Sequence, residues 1–269
     1  MGAIEAHNLK IAYGDRAIVS DLSIALETGK VTALIGPNGS GKSTVLRTLA
    51  RLLQPKTGAV YLNGHNIAKL PAKTLARQLA MLPQSPDIPS GITVWELIGY
   101  GRYPHRSLLQ GFSPKDKAAM EWALEITGLE PLRDRWLDTL SGGERQRAWI
   151  ALALAQQTQV LLLDEPTTFL DIRHQLDVLS LVRNLNRDYG ITVGWVLHDL
   201  NQAIAYSDCA ILFRSGEAIA QGSATEVMTP ENILKVFGVQ MTVIPHPITG
   251  LPTCLPAELG SNAPISSQP

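Results

Sequence analysis

The sequence predicts an α/β protein whose parallel-sheet core is built around a glycine-rich loop and interrupted by a helical lobe. Three observations carry this. A glycine-rich loop, Gly36-Pro37-Asn38-Gly39-Ser40-Gly41-Lys42-Ser43, stands between the apolar run Val31 to Ile35 and a segment, Thr44 to Leu53, with apolar residues at helical spacing. Two further apolar runs, Val160 to Leu163 and Ile191 to Leu197, end in polar residues, as buried parallel strands do. Between Ser85 and about Gln157 the spacing is helical and strand alternation is missing.

Strand, glycine loop and helix in that order are what a P-loop requires. The glycines let backbone N–H groups turn inward as a nest around phosphates. Lys42 is placed to reach the β- and γ-phosphates, and the Ser43 hydroxyl to ligate Mg²⁺. The helix that follows, with Thr44 in its first turn, adds its N-terminal dipole to the anion site. The loop is read as binding a nucleoside triphosphate.

At 269 residues the chain is one large domain, or one domain with a lobe inserted. A net charge of −1 advertises no basic surface, so nucleic acid is not an expected partner. Cys209 and Cys254 show neither metal-ligand nor redox spacing, which fits the cytosol. The first ten residues lack a signal-peptide apolar region, and no apolar stretch approaches the length of a spanning helix. Work at a membrane therefore requires a partner that holds the chain there.

Along the chain, Ile4 to Tyr13 and Val19 to Leu26 alternate as half-buried strands. Tyr13 is either a strand-end aromatic at the core edge or a flat surface for a base. Gly58 to Leu62 reads as a strand ending at the Asn63-Gly64 turn, Leu70 to Leu79 as a short helix opened by Pro71, and Ala80 to Pro83 as a strand running into Gln84. Beyond Pro86 and Pro89, Thr93 caps a helix through Tyr100. A loop from Gly101 to Phe112 follows, and Ser113-Pro114 opens an amphipathic helix to Thr127, ended by Gly128.

Leu140-Ser141-Gly142-Gly143-Glu144 precedes a helix from Arg145 to about Gln156. A capping box accounts for Ser141 and Glu144 but not for the paired glycines, which let a backbone approach an anion closely. At the end of the next apolar run Asp164 is suited to hold Mg²⁺, and Glu165 to orient or deprotonate an attacking water. Solvated acids at a strand end are the alternative, and the P-loop upstream weighs against it. Asp171 to Tyr189 is a long amphipathic helix, and His198 ends the strand Ile191 to Leu197. A hairpin turns about Arg214-Ser215-Gly216, with strands Cys209 to Phe213 and Glu217 to Ala220. Two short helices follow, Ala224 to Met228 and Glu231 to Phe237, and the tail after Gly260 is expected to be disordered. A triphosphate grip, a Mg²⁺ acid, a water-orienting acid and a histidine, with no pocket for another acceptor, together point to ATP hydrolysis.

The order Tyr13, Gly36 to Ser43, Gln84, Leu140 to Glu144, Leu161 to Glu165, Asp171 and His198 resembles the nucleotide-binding subunit of an ABC transporter, over essentially the chain through Phe237. The resemblance implies the ABC ATPase fold: a RecA-like P-loop core with an N-terminal antiparallel β-subdomain over 1–84 and 158–240, a helical signature subdomain over 85–157, and a proline-rich tail over 241–269. It further implies that Tyr13 stacks on adenine, and that Gln84 touches Mg²⁺ and senses the membrane partner. Ser141, Gly142 and Gly143 would complete the γ-phosphate site of a second subunit in a head-to-tail homodimer. Asp171 would lie across that interface, Glu165 would be the catalytic base, and His198 would contact the γ-phosphate. At Thr168-Phe169-Leu170-Asp171 the chain departs from many members, which carry Ser and then a small residue or His before Leu-Asp; it retains Leu170 and Asp171.

Gly101-Arg102-Tyr103-Pro104-His105, Thr167 to Ile172, Leu197 to Asn201 and the proline-rich Val243 to Pro256 are similar to bacterial iron–siderophore importers; heme and cobalamin importers share parts of the pattern. This implies transmembrane permease subunits seated in a groove near Gln84 and the helical lobe, an extracytoplasmic binding protein acting indirectly, and a peripheral place on the cytoplasmic face of the inner membrane. Soluble ABC ATPases of DNA repair carry a long coiled-coil insertion and ribosome-associated ones two cassettes; this chain has neither.

Overall fold

Val31–Ile35 is buried at every position, and the computed structural model shows why: it is a central strand of a sheet covered on both faces. The structure describes residues 2–84, 91–106 and 111–257. The prolines at 86 and 89 and the tail after 260, expected to be disordered, lie outside them.

In chain order the elements are β1 (Gly2–Tyr13), β2 (Arg16–Glu27), β3 (Val31–Ile35), α1 (Lys42–Leu49), β4 (Thr57–Leu62), β5 (His65–Asn66), α2 (Ala72–Ala76) and β6 (Leu79–Leu82). Then come α3 (Val94–Tyr100), α4 (Pro114–Ile126), α5 (Gly142–Ala155), β7 (Val160–Leu163), α6 (Ile172–Tyr189), β8 (Thr192–Val196) and α7 (Leu200–Tyr206). The chain continues through β9 (Cys209–Arg214), β10 (Glu217–Ser223), α8 (Ala224–Val227), α9 (Pro230–Phe237), β11 (Met241–Pro245) and β12 (Pro252–Pro256).

The six-stranded sheet runs β10-β9-β3-β8-β7-β6, parallel from β9 to β6, with β10 antiparallel at its edge. A four-stranded antiparallel sheet, β2-β1-β4-β5, packs over one face. Alternation along each strand divides the core between the two faces. Leu34, Leu162, Val196 and Ile211 join α1 and the antiparallel sheet, while Ala33, Ile35, Leu161, Leu163 and Trp195 join the helices opposite. Each large side chain taken wholly out of water in this way contributes about 1.5–3 kcal/mol.

Local chemistry explains most element ends. Asn63 and Gly64 both adopt positive φ, 49° and 78°, as a two-residue hairpin between β4 and β5 requires. Thr93 and Ser113 close capping boxes with Glu96 and Asp116. Between the paired strands β6 and β7 the described residues form no strand, only helices and turns with one isolated bridge between Thr93 and Trp136. The lobe carries a buried ion pair, Arg102 Nε to Asp116 Oδ1 at 2.9 Å, and Arg102 also donates to the carbonyl of Ala155. Several elements differ from the sequence reading: the helix expected over Leu70 to Leu79 spans only Ala72–Ala76, and Leu79 opens β6. Helix α5 begins at Gly142 and not Arg145, so the paired glycines lie inside its first turn. Helix α7 was not anticipated, and the proline-rich segment from 241 to 256 is a two-stranded antiparallel sheet.

Candidate functional site

Because β3, β6, β7 and β8 run parallel, their C-terminal ends share one edge of the sheet, the edge where ligands bind in open α/β folds. That edge receives the glycine loop from β3, Gln84 from β6, Asp164 and Glu165 from β7, and His198 from β8. Residues far apart in sequence meet there.

The loop is shaped by close approach. A Cβ on Gly36 would stand 2.1 Å from the Phe213 carbonyl oxygen, so only glycine fits, and Gly39 and Gly41 adopt φ of 78° and 101°. Lys42 is buried; its Nζ donates to the carbonyls of Gly36 at 2.8 Å and Pro37 at 3.0 Å, so the ammonium closes the loop on itself. Burial pulls its pKa below the usual lysine range, against the opposing pull of Glu165 and Asp164. Ser43 Oγ donates to Asp164 Oδ1 at 2.7 Å. Asp164 is almost wholly buried, and burial pushes its carboxyl up, partly offset by the Ser43 hydroxyl and by Arg47.

Two buried polar atoms at this site, Ser40 Oγ and Asp164 Oδ2, make no hydrogen bond within the protein, and Arg47 Nε comes only to 3.9 Å of the latter. An orphaned carboxylate oxygen beside a serine hydroxyl is a hard oxygen donor pair of the kind Mg²⁺ prefers, so these residues fit that ion. Among the described residues no group of three or more His, Cys, Asp or Glu side chains is disposed to hold a metal. Such a sparse set suits an ion held largely by substrate phosphates.

Glu165 is the point of convergence. Its Oε2 accepts from Gln84 Nε2 at 2.5 Å and Thr168 Oγ1 at 3.1 Å, and His198 Nε2 lies 2.9 Å away. The residue itself has φ of 52°, in the left-handed region, where the chain turns sharply out of β7. Thr168 was singled out only as a departure in the sequence; its hydroxyl is tied to the central acid.

Ser141 caps α5 in a capping box with Glu144, and Gly142 and Gly143 form the first turn. This turn abuts α6: a Cβ on Gly143 would stand 2.1 Å from His174 Cδ2. Asp171 caps α6, accepting from the His174 N–H at 2.9 Å, which holds its carboxyl below the usual range. Among the described residues no hydrogen bond or ion pair joins the segment from Ser141 to Glu144 to the glycine loop of the same chain. Tyr13 is half-exposed at the turn into β2, whose Ile18 side chain lies 3.4 Å from where a Cβ on Gly41 would stand. Thr44, in the first turn of α1, is a further loop neighbour. Sequence reasoning missed Arg47, His174 and the glutamines of α6 and α7, because nothing local to them marks a contact.

Residues 19–168 match the family described as ABC transporter. The chain is 48% identical over 262 residues, 97% of each chain, to the iron(3+)-hydroxamate import ATP-binding protein FhuC of Bacillus subtilis (strain 168). It is 45% identical over 264 residues, 98% of this chain and 97% of the other, to the ferric enterobactin transport ATP-binding protein FepC of Escherichia coli (strain K12). Among solved structures, a chain of an inward-facing ABC transporter assigned to the metal-chelate type superposes with a TM-score of 0.83 at 27% identity, covering 96% of this chain and 98% of that one. The ATP-binding cassette MJ0796, in a dimeric post-hydrolysis state with ADP and Pi, gives a TM-score of 0.71 at 25% identity, covering 82% and 98%.

Proposed function

From the premise that this chain belongs to the ABC transporter family and is an ATP-binding ATPase, we propose that it energises the import of iron–siderophore complexes in a bacterium. The observation that carries the ATPase reading is the meeting of Gln84, Thr168 and His198 on one oxygen of Glu165, beside the Lys42, Ser43 and Asp164 cradle. The cargo class rests on relatives, 45–48% identical over nearly the whole chain, that import ferric hydroxamate and ferric enterobactin.

In this reading Lys42 exchanges its loop carbonyls for phosphate oxygens, and backbone N–H groups of Gly39 and Gly41 wrap the β-phosphate. Ser43 and Asp164, with Gln84, would hold Mg²⁺, which would supply neutralisation of the phosphate charge. Glu165 orients a water and takes its proton as the water oxygen bonds to the γ-phosphorus and the bond to the bridging oxygen breaks, releasing ADP. His198 steadies the γ-phosphate, and Tyr13 stacks on adenine. Ser141, Gly142 and Gly143 serve a second copy of the chain, with Asp171 across the interface. The lack, among the described residues, of a hydrogen bond between them and their own glycine loop and the dimeric state of a solved neighbour support that arrangement.

We divide the chain into an ATP-binding core over 1–84 and 158–240, a signature lobe over 85–157, and a C-terminal appendage over 241–269. No helix among the described residues is long and apolar enough to cross a membrane. Attachment at the cytoplasmic face would therefore come from permease subunits, seated where β6 leads into Gln84 against the helical lobe, with a binding protein acting through them. A cavity of about 260 Å³ beside β6, lined by Leu52, Ala76, Met81 and Gln156 among others, supports a seat there. The test is uptake of labelled ferric siderophores, heme and cobalamin by cells carrying wild type or Glu165→Gln. Loss of siderophore uptake alone is expected; unchanged uptake of all three, with the variant present and no second ATPase substituting, overturns the importer reading.

A further inference from the structure

His198 sits on the short link from β8 to α7, and among the described residues its half-exposed ring meets one side-chain partner, Glu165. Its position therefore depends on what holds α7. That helix has only seven residues, about 10 Å of length, too short to persist without tertiary support.

Burial of Ala203 and Ile204 in the main core supplies part of it, and three side-chain ties add to that. Asn201 Nδ2 donates to the Cys254 carbonyl at 3.2 Å, and the Cys254 N–H donates back to Asn201 Oδ1 at 2.8 Å. One side-chain amide thus satisfies both backbone groups of a single β12 residue, as a neighbouring strand would. Gln202 Nε2 donates to Gln175 Oε1 at 3.0 Å, and Gln175 Nε2 in turn donates to the Leu170 carbonyl at 3.0 Å, in the link that ends at Asp171. At the far end of α7 the Ser207 hydroxyl accepts from Trp195 Nε1 at 3.0 Å, a buried bond back to β8. The two-stranded sheet of β11 and β12 is marginal alone. It is anchored by Cys254, buried in the main core, and by Met241, Val243 and Leu251 packed against it.

We propose that α7 is a strut that sets the position of His198, and that Asn201, by clamping α7 to the C-terminal hairpin, is a positioning residue for ATP hydrolysis. The inference rests on reading His198 as the group that meets the γ-phosphate. It assigns the hairpin a part in catalysis through the same helix that reaches the Asp171 loop.

The test uses the full chain with Asn201→Ala and Asn201→Asp; the second keeps the acceptor for the Cys254 N–H and serves where the first does not fold. In Asn201→Ala, kcat for phosphate release should fall about tenfold with little change in KM for ATP, because a displaced His198 ring aligns the γ-phosphate less well while the glycine-loop contacts that hold the nucleotide stay in place. The His198 ring resonance, identified by its loss in His198→Ala, should shift, and Asn201→Asp should recover part of both. Full turnover with an unmoved ring signal overturns the proposal. So does a fall in turnover while the ring signal stays in place, because Asn201 would then act elsewhere. A wild-type chain that releases no phosphate would instead sink the ATPase reading, and the ring signal alone would still decide on the strut.

Discussion

His198 Nε2 lies 2.9 Å from Glu165 Oε2, the oxygen that also accepts from Gln84 at 2.5 Å. The ends of three parallel strands are thus joined through one carboxylate before any nucleotide is considered. An acid held by donors on one oxygen keeps its orientation while the rest of the site changes partners.

Replacing that acid should separate binding from chemistry. Glu165→Gln keeps an oxygen or an amide for the same neighbours but cannot take a proton, and general-base catalysis is worth about 10²–10⁴-fold. Phosphate release should fall by at least about 100-fold while ATP binding, measured by equilibrium dialysis, persists. Rapid turnover by this variant would remove Glu165 from the role.

Asp164 makes a prediction about stability. Burial raises its pKa, so between the ordinary carboxylate value and the raised one the folded chain binds more protons than the unfolded chain. Its contribution to stability therefore falls as pH rises through that window, and at neutral pH the buried charge is a cost. Asp164→Asn should raise the Tm of the nucleotide-free protein by about 2–4 °C, if about 1 kcal/mol is relieved, and abolish the further rise given by Mg²⁺ and ATP. Thermal melts with and without nucleotide read both effects. A lower Tm without nucleotide would contradict the account.

In the helical lobe the sign is opposite. Burial alone would raise Asp116, but the Ser113 hydroxyl and the Arg102 guanidinium outweigh it and hold the carboxyl at about 2, below its ordinary 3.8. That stabilisation is fully present above about pH 4 and is lost as pH falls towards about 2. Arg102→Ala, which leaves a buried carboxylate without its cation, should cost about 3–5 kcal/mol in denaturant melts at neutral pH. A cost under about 1 kcal/mol, the range of an exposed pair, would show that burial adds nothing to this one.

Gly143→Ala tests the contact between α5 and α6. Helix propensity alone would favour alanine by about 0.5–1 kcal/mol. A Cβ there would stand 2.1 Å from the His174 ring, however, so the His174 side chain or the two helix starts must give way. Hydrolysis should fall by about tenfold or more, with ATP affinity of the isolated chain unchanged. An active variant would show that His174 swings aside without consequence.

The legible parts of this protein are those whose chemistry is local. The glycine loop, the apolar strands that end in acids, and the caps at Thr93 and Ser113 are each set by a few adjacent residues. Where one local signal masked another, the reading slipped. Two glycines hid the first turn of α5, although Ser141 and Glu144 already formed its capping box. Prolines at 245, 252 and 256 hid β11 and β12, because a sheet of two strands tolerates missing N–H groups that a central strand would not.

By itself the sequence determined that a triphosphate loop, two acids and a histidine would stand at strand ends, since periodicity and turn chemistry act within a few residues. Only the tertiary structure decided which of them touch. Ser43 meets Asp164 across 121 positions and Gln84 meets Glu165 across 81. Asn201 finds Cys254 in a segment that reads as a tail. Those meetings depend on strand order and on which faces the core buries, and neither is written in any one stretch of residues.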